Sequence, residues 1–448
     1  MTVSRTRWFA AGAALVFAAS ARAEPATNAL PSYTLEQCVA IGLERATVLL
    51  NALRDERIAG ARVTQTKAQV YPQLSTDGSY TRRDEVTGFE TSPGEFIQMG
   101  QLNNYAASAS LSQILYSGGK VNAAIRAARY STTYAAEGTS QVRRQLVRDI
   151  RLAFYDILLA REHVEVAAES VKQLEDLVSQ TEQKFNSGTA SEFDLLTARV
   201  RLANEKPNLI RAREVLAVSK ESFRNLIYLD EPDFELRGEL AFEPMEADLP
   251  ALQQQGLESR PDVQQMETYL QLLQEDVRAA RADYYPELKA VASYAGSDPD
   301  QTSFVPDGWG WHWTAGLTVH WSILDGGLRR AVVLEKSLTL AKARSNLDDL
   351  KRAAQLEVTQ AYLDMMHARD ALNGAQENVG LAEKALEIAR TRYAQGLSTY
   401  LEFTESNFAL SKARLDYAVA LKAHMGAVTR LRYASGTKDE LLNEEQSP

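Results

Sequence analysis

Trp309-Gly310-Trp311-His312-Trp313-Thr314-Ala315-Gly316-Leu317-Thr318-Val319-His320-Trp321-Ser322 is the stretch that decides how this chain is built. Successive side chains of a strand point to opposite faces. Trp309, Trp311, Trp313, Ala315, Leu317, Val319 and Trp321 therefore share one face, and Gly310, His312, Thr314, Gly316, Thr318, His320 and Ser322 share the other. Alternation held this long predicts a strand over about 309–322 with one apolar side. Four of the five tryptophans of the chain lie on that side. A strand laid on a soluble core has this pattern. So does a strand of an outer-membrane barrel, where aromatic residues ring both interfaces. The tryptophans gather near the strand ends, and about ten residues suit a tilted bilayer crossing, so the membrane reading is preferred.

Outward from this strand the chain is written twice. Tyr71-Pro72-Gln73-Leu74, ending at Tyr80, returns 214 residues later as Tyr285-Pro286-Glu287-Leu288, ending at Tyr294. Gly42-Leu43-Glu44 returns as Gly256-Leu257-Glu258 at the same step. Further on the step is 208: Gly118-Gly119 with Gly326-Gly327, Ala160-Arg161 with Ala368-Arg369, and Lys184-Phe185 before Gly188 with Arg392-Tyr393 before Gly396. A surface loop absorbs the six-residue difference. Strands are predicted at about 73–83, 104–115, 287–296 and 309–322. Each unit reads helix, strand pair, long helix, helix, giving repeats over 24–228 and 250–436, a linker over 229–249 and a tail over 437–448.

The long helices carry a stripe stepping by alternating four and three. Leu146, Ile150, Ala153, Ile157, Ala160, Val164, Ala167, Val171, Leu174, Val178, Thr181 and Phe185 form it in the first repeat. Ala354, Val358, Ala361, Met365, Ala368, Leu372, Ala375, Val379, Ala382, Leu386, Ala389 and Tyr393 form it in the second. A sustained period of 3.5 means coiled-coil packing, with the alanines allowing close approach. Gly119 to Gly188, and Gly327 to Gly396, leave room for about 100 Å of helix at 1.5 Å per residue. Shorter helices are predicted at about 35–70, 189–228, 250–285 and 397–436, with Gly188 and Gly396 at the reversals. Pro207 removes a backbone donor from the helix after Gly188 and predicts a kink there.

Residues 1–23 carry Arg5 and Arg7, an apolar run over 8–19, then Ala21-Arg22-Ala23, the pattern of a secretory signal peptide cut after Ala23. Removing it takes away three positive charges, so the net charge falls from −10 to −13. With this charge and no lysine/arginine-rich block, nucleic acid is not a partner. The single cysteine, Cys38, can form no internal disulfide and reads as a buried thiol, since no apolar run precedes it as in a lipid-anchored start. His312 and His320 share the polar strand face but stand eight residues apart, too far for one metal site. His163, His367 and His424 read as helix-surface residues. The sequence has no phosphate-binding glycine loop, nucleophile elbow or paired Cys/His motif. No enzyme, cofactor, catalytic residue or metal centre is expected. No apolar run reaches the roughly 18 residues of a membrane helix, so strands must carry the chain into a bilayer. Four strands close no barrel, and lipid tolerates no open edge. An oligomer is required, and three copies supply twelve strands.

The duplicated Tyr-Pro strand start, the Gly-Gly after each strand pair and the Lys/Arg-aromatic-x-x-Gly turn, in this order and spacing, resemble the TolC family of outer membrane efflux proteins. The resemblance covers the chain from the signal cleavage site to about Gly436. It implies a mainly α fold with a small β part. Long coiled-coil helices would form a periplasmic α-barrel, and four strands per protomer would join a 12-stranded trimeric transmembrane β-barrel. It also implies a homotrimer in the outer membrane of a Gram-negative bacterium, in contact with its lipid and extending into the periplasm. Such a duct works with a periplasmic adaptor and an inner-membrane transporter, passing small molecules such as drugs, metals or other toxic compounds.

By the same resemblance Gly188, Thr189, Gly396 and Leu397 form the adaptor-docking tip, and Asp194, Glu402, Glu405, Tyr393 and Ser398 the periplasmic gate. Trp309, Trp311, Trp313 and Trp321 form the membrane girdle. Glu402 and Glu405, three apart, share a helix face; in a trimer each acid becomes a ring of three that attracts cations. Ordinary solvated helix carboxylates are the alternative. Ser398 stands where the best-known member has an arginine, and serine makes no bidentate ionic link to Asp194, leaving Tyr393 and hydrogen bonds to hold a closed tip. A duct for type I protein secretion shares this architecture, and a soluble periplasmic coiled-coil scaffold is the rival from another class.

Overall fold

The computed structural model describes residues 30–86, 88–98, 101–245, 247–300, 308–395 and 397–437. The expected signal peptide, Gly396 and all of the tail but Thr437 lie outside them. The first repeat runs β1 (Ser32–Tyr33), α1 (Leu35–Arg45), α2 (Thr47–Ala68), β2 (Gln73–Arg82), β3 (Gly88–Ser92), β4 (Glu95–Gln98), β5 (Asn103–Tyr116), α3 (Lys120–Asn186) and α4 (Glu192–Ile227). After β6 (Glu235–Leu236) the second runs α5 (Leu249–Ser259), α6 (Pro261–Ala282), β7 (Glu287–Asp298), β8 (Gly310–His320), α7 (Leu328–Ala394) and α8 (Tyr400–Ala434).

Both long helices have 67 residues and start at the same place. Their N-caps, Gly119 and Gly327, have φ of 88° and 90°, a left-handed conformation that L side chains rarely adopt. Gly118 is also fixed by space, since a Cβ there would sit 2.7 Å from the Ala282 carbonyl oxygen. The predicted stripe is the inward face: all twelve positions on α7 are buried or half-buried, and on α3 only Phe185 is exposed. α3 packs on α2 and α4 of its own repeat and on α6 and α8 of the other, while α7 packs on α5, α6 and α8.

Two predicted helices are each broken once. The stretch 35–70 divides at Ala46 (ψ 116°) and 250–285 at Arg260 (ψ 125°), equivalent positions in the two repeats. Arg260 precedes Pro261, whose ring excludes Arg260 from the helical region; that signal was present in the sequence. Ala46 has no such neighbour and is held by burial, at 1% exposure. α4 continues through Pro207.

The main core lies where α1, α3 and α4 meet the linker, around Ile150, Phe154, Phe223, Ile227 and Phe234. Phe223 meets Phe154 edge-on at 6.3 Å and Phe234 at 6.1 Å. The linker is strapped on by parallel pairing of β1 with β6 and by Arg161, which donates to the Leu236 and Gly238 carbonyls. Cys38 is buried here, and burial pushes its thiol up to about 12. His424 is a correction: it is not on the surface but 1% exposed, against the Phe242 ring at 5.0 Å. It opens a run, His424 to Thr429, buried on every side.

The four predicted strands form one antiparallel sheet in the order β2-β5-β7-β8. Among the described residues its edges, β2 and β8, are unpaired. The β3–β4 hairpin between β2 and β5 was not predicted. Its turn residues, Pro93 and Gly94 with φ of 98°, carried a readable turn signal.

Candidate functional site

The register of the sheet sorts its side chains into two faces. On one, Trp311 lies over a groove of small residues, since Gly78, Ala107 and Gly296 share its row across the strands. A Cβ on Gly296 would stand 2.5 Å from Trp311 Cδ2. The indole instead stacks between Tyr294 at 5.1 Å and Trp309 at 5.5 Å. Tyr80 and Tyr105, 5.0 Å apart, extend this aromatic end, and Trp313 is 74% exposed. At the other end Trp321 donates Nε1–H to the Tyr284 carbonyl at 3.1 Å, and Tyr71 and Tyr285, which precede β2 and β7, are exposed. Trp311 and Trp321 are ten residues apart, about 34 Å along the chain at about 3.4 Å per residue. Exposed Leu74, Leu111, Leu317 and Val319 fill the band between them.

The opposite face carries hydroxyls. Ser75 bonds Ser110 and Ser293 bonds Thr314, both at 2.8 Å, in one row across all four strands. His312 faces Ala295 and His320 faces Glu287, well apart on this face. No cluster of metal-ligating side chains occurs among the described residues, and no described helix is long and apolar enough to cross a membrane.

At the far end of the long helices the two repeats share a closing backbone hydrogen bond among the described residues. Thr189 N–H donates to the Lys184 carbonyl at 2.8 Å and Gly188 N–H to that of Phe185 at 2.9 Å, closing α3 with a left-handed glycine of φ 75°. Leu397 N–H donates to the Arg392 carbonyl at 2.8 Å in the second turn, and the Leu397 side chain is 66% exposed. Ser191 then caps α4 reciprocally: Asp194 N–H donates to Ser191 Oγ, while Ser191 N–H and Oγ–H donate to Asp194 Oδ2 at 3.1 and 2.7 Å. These bonds hold the Asp194 carboxyl below its ordinary pKa. Thr399 caps α8 by accepting from Glu402 N–H at 3.2 Å.

Tyr393 joins an aromatic cluster within the chain, stacked on Phe403 at 5.7 Å and 5.3 Å from Tyr400. Tyr400 and Phe408 pack on Leu174, Leu177 and Ala198, so the start of α8 is seated on the α3–α4 hairpin. Ser398 Oγ is enclosed without a hydrogen-bond partner among the described residues. Glu405 accepts from Arg201 Nη1 at 2.8 Å. Arg201 was not singled out in the sequence: it lies 204 residues from its partner, and no local spacing signals such a pair.

The family model described as outer membrane efflux protein matches residues 42–227 and 252–437. The chain is 24% identical to the probable outer membrane lipoprotein SilC of Salmonella typhimurium over 82% of this chain and 80% of that one. It is 22% identical to the cation efflux system protein CusC of Escherichia coli over the same shares. Its fold matches the CmeC outer membrane channel of Campylobacter jejuni with a TM-score of 0.76 at 19% identity, covering 90% of this chain and 87% of that one. This chain belongs to the outer membrane efflux protein family.

Proposed function

We propose that three copies of this chain close their sheets into one twelve-stranded barrel in the outer membrane. The helical hairpins continue it across the periplasm as a duct ending at the Gly188 and Gly396 turns. An inner-membrane transporter and a periplasmic adaptor that docks at Thr189 and Leu397 deliver the cargo, and energy comes from the transporter. The observation that carries this reading is the pair of unpaired sheet edges beside an apolar face, because open edges in lipid leave backbone groups without partners. Asp194, Glu402 and Glu405, with Tyr393 and Ser398 beside them, form the restriction at the tip. The cargo is small molecules, and the name of CusC, a cation efflux system protein, makes cations the first class to try.

The test is purification from membranes in detergent, mass measurement by light scattering, and conductance in a planar lipid bilayer. A trimeric mass with discrete cation-preferring steps is the expected result. A monomer that stays soluble without detergent and never inserts refutes it.

A further inference from the structure

Glu402 and Glu405 are three residues apart and both exposed, yet they are not equivalent. Arg201, from the other hairpin, holds Glu405 at 2.8 Å, with side-chain exposures of 34% and 59%. Among the described residues the Glu402 carboxylate makes no hydrogen bond or ion pair. Other cations of the α3–α4 hairpin are engaged elsewhere: Arg199 with Glu182 at 2.9 Å, Lys206 with Glu175 at 3.3 Å, and Lys184 over the Tyr400 ring at 5.8 Å. The 208-residue repeat does not reproduce the pair, since Ala409 stands at the counterpart of Arg201 and Thr197 at that of Glu405. The link therefore occurs once per chain.

We propose that Arg201 sets the ion preference of the tip by cancelling the charge of Glu405, so that a permeating ion meets the acidic ring of Glu402. This rests on the tip being the restriction of a trimeric duct. Counting these three residues alone, a trimer has six carboxylates against three guanidinium groups, a net −3. Removing Arg201 makes it −6, removing Glu405 makes it zero, and removing both restores −3. Closely spaced rings of charge govern which ions pass, and a Debye length of about 8 Å at physiological salt leaves them effective across a narrow tip. The pair itself contributes little to stability, because exposed ion pairs are worth roughly 0–1 kcal/mol, so the variants keep their fold.

The experiment measures reversal potential under a salt gradient, and block by a trivalent cation, for the reconstituted full chain. The variants are Arg201→Gln, Glu405→Gln, the double variant and Glu402→Gln. Arg201→Gln should raise cation preference several-fold and tighten the block, and Glu405→Gln should lower both. The double variant should return to within about twofold of the parent, as pairwise compensation requires. Either single change also loosens the two hairpins, so conductance rises in both while selectivity moves in opposite directions. If Arg201→Gln leaves selectivity unchanged while Glu405→Gln lowers it, Glu405 is a free ring and the proposal is overturned. If Glu402→Gln and every other variant leave selectivity and block unchanged, the tip is not the restriction, and the reading beneath the proposal fails with it.

Discussion

Replacing Leu334 by aspartate should dismantle the trimer without unfolding the chain. α3 of the first repeat packs on α6 and α8 of the second, whereas α7, its equivalent, has no comparable partner on that side among the described residues of one chain. In a closed ring that side of α7 meets α2 and α4 of the next copy. Where Arg126 meets Glu275 inside the chain at 2.8 Å, the repeat places Leu334 of one copy against Ala61 of the next. Leu334 is 57% exposed in the single chain, and Leu328 and Leu338 beside it are 65% and 60% exposed. Fully burying a leucine is worth about 1.5–3 kcal/mol, so closing the seam over a half-exposed one gives about 1–1.5 kcal/mol per copy. An aspartate forfeits this and adds a buried charge costing several kcal/mol per ion, so three seams lose roughly 10 kcal/mol together. At 1.4 kcal/mol per decade that is roughly seven orders of magnitude in association. Light scattering in detergent should find a monomer with unchanged helical circular dichroism, and Leu334→Ala should give a weakened trimer. The same arithmetic sets Lys342 against Asp55, where Tyr134 meets Tyr269 at 5.9 Å within the chain. The exchange Lys342→Asp with Asp55→Lys should therefore restore what Lys342→Asp alone loses. A Leu334→Asp variant whose trimer is as stable as the parent's would refute the repeat-derived seam.

Two further predictions concern the folded chain. Burial first, and then the Arg369 charge, hold the His424 pKa below 6.5, with Glu243 opposing. The unfolded chain thus binds a proton that the folded chain resists, so this group's contribution is complete above about pH 6.5 and is lost as pH falls toward the folded value. His424→Phe should flatten the fall of melting temperature between about pH 7 and 5; an unaltered slope would show that other groups cause it. Gly296→Ala should drive Trp311 from its stack with Tyr294 and Trp309, at about 0.5–1.5 kcal/mol for each aromatic pair. Near-ultraviolet circular dichroism should lose intensity, and an unchanged spectrum would place the indole elsewhere.

What was readable in the sequence follows from which forces leave a period. β8 was placed within two residues at each end because one of its faces is apolar and the other is not. α3 and α7 were placed because a left-handed glycine opens each and a 3.5-residue stripe fixes its buried side. His424 was misplaced because the end of α8 is enclosed on every side, and full enclosure erases the periodicity that separates inside from outside. At the tip the repeated turns were visible, whereas the capping residues Ser191 and Thr399 were not singled out, although each stands three positions before an acidic residue, Asp194 and Glu402. Arg201 was invisible because its role depends on α8 settling against α4, a fact of tertiary structure alone.

A chain built from two similar halves must also distinguish its own second half from that of a neighbour. The ion pairs across the internal boundary do this. Arg126 with Glu275, Lys120 with Asp283, Arg201 with Glu405 and Lys422 with Asp156 each join one repeat to the other. Their counterparts one repeat away are Leu334 and Ala61, Leu328 and Gln69, Ala409 and Thr197, and Glu214 and Asp364. None of these counterparts can form an ion pair, and the last two are like charges. Pairing a repeat with its like from a neighbour would take Arg126 away from the buried Glu275 and leave that carboxylate to Arg278 of its own helix, a penalty that falls on the wrong pairing. The same asymmetry gives the tip three Arg201–Glu405 links in place of six, alternating with uncharged seams. Ion preference at the tip and the order of subunits in the ring thus depend on the same departures from the repeat.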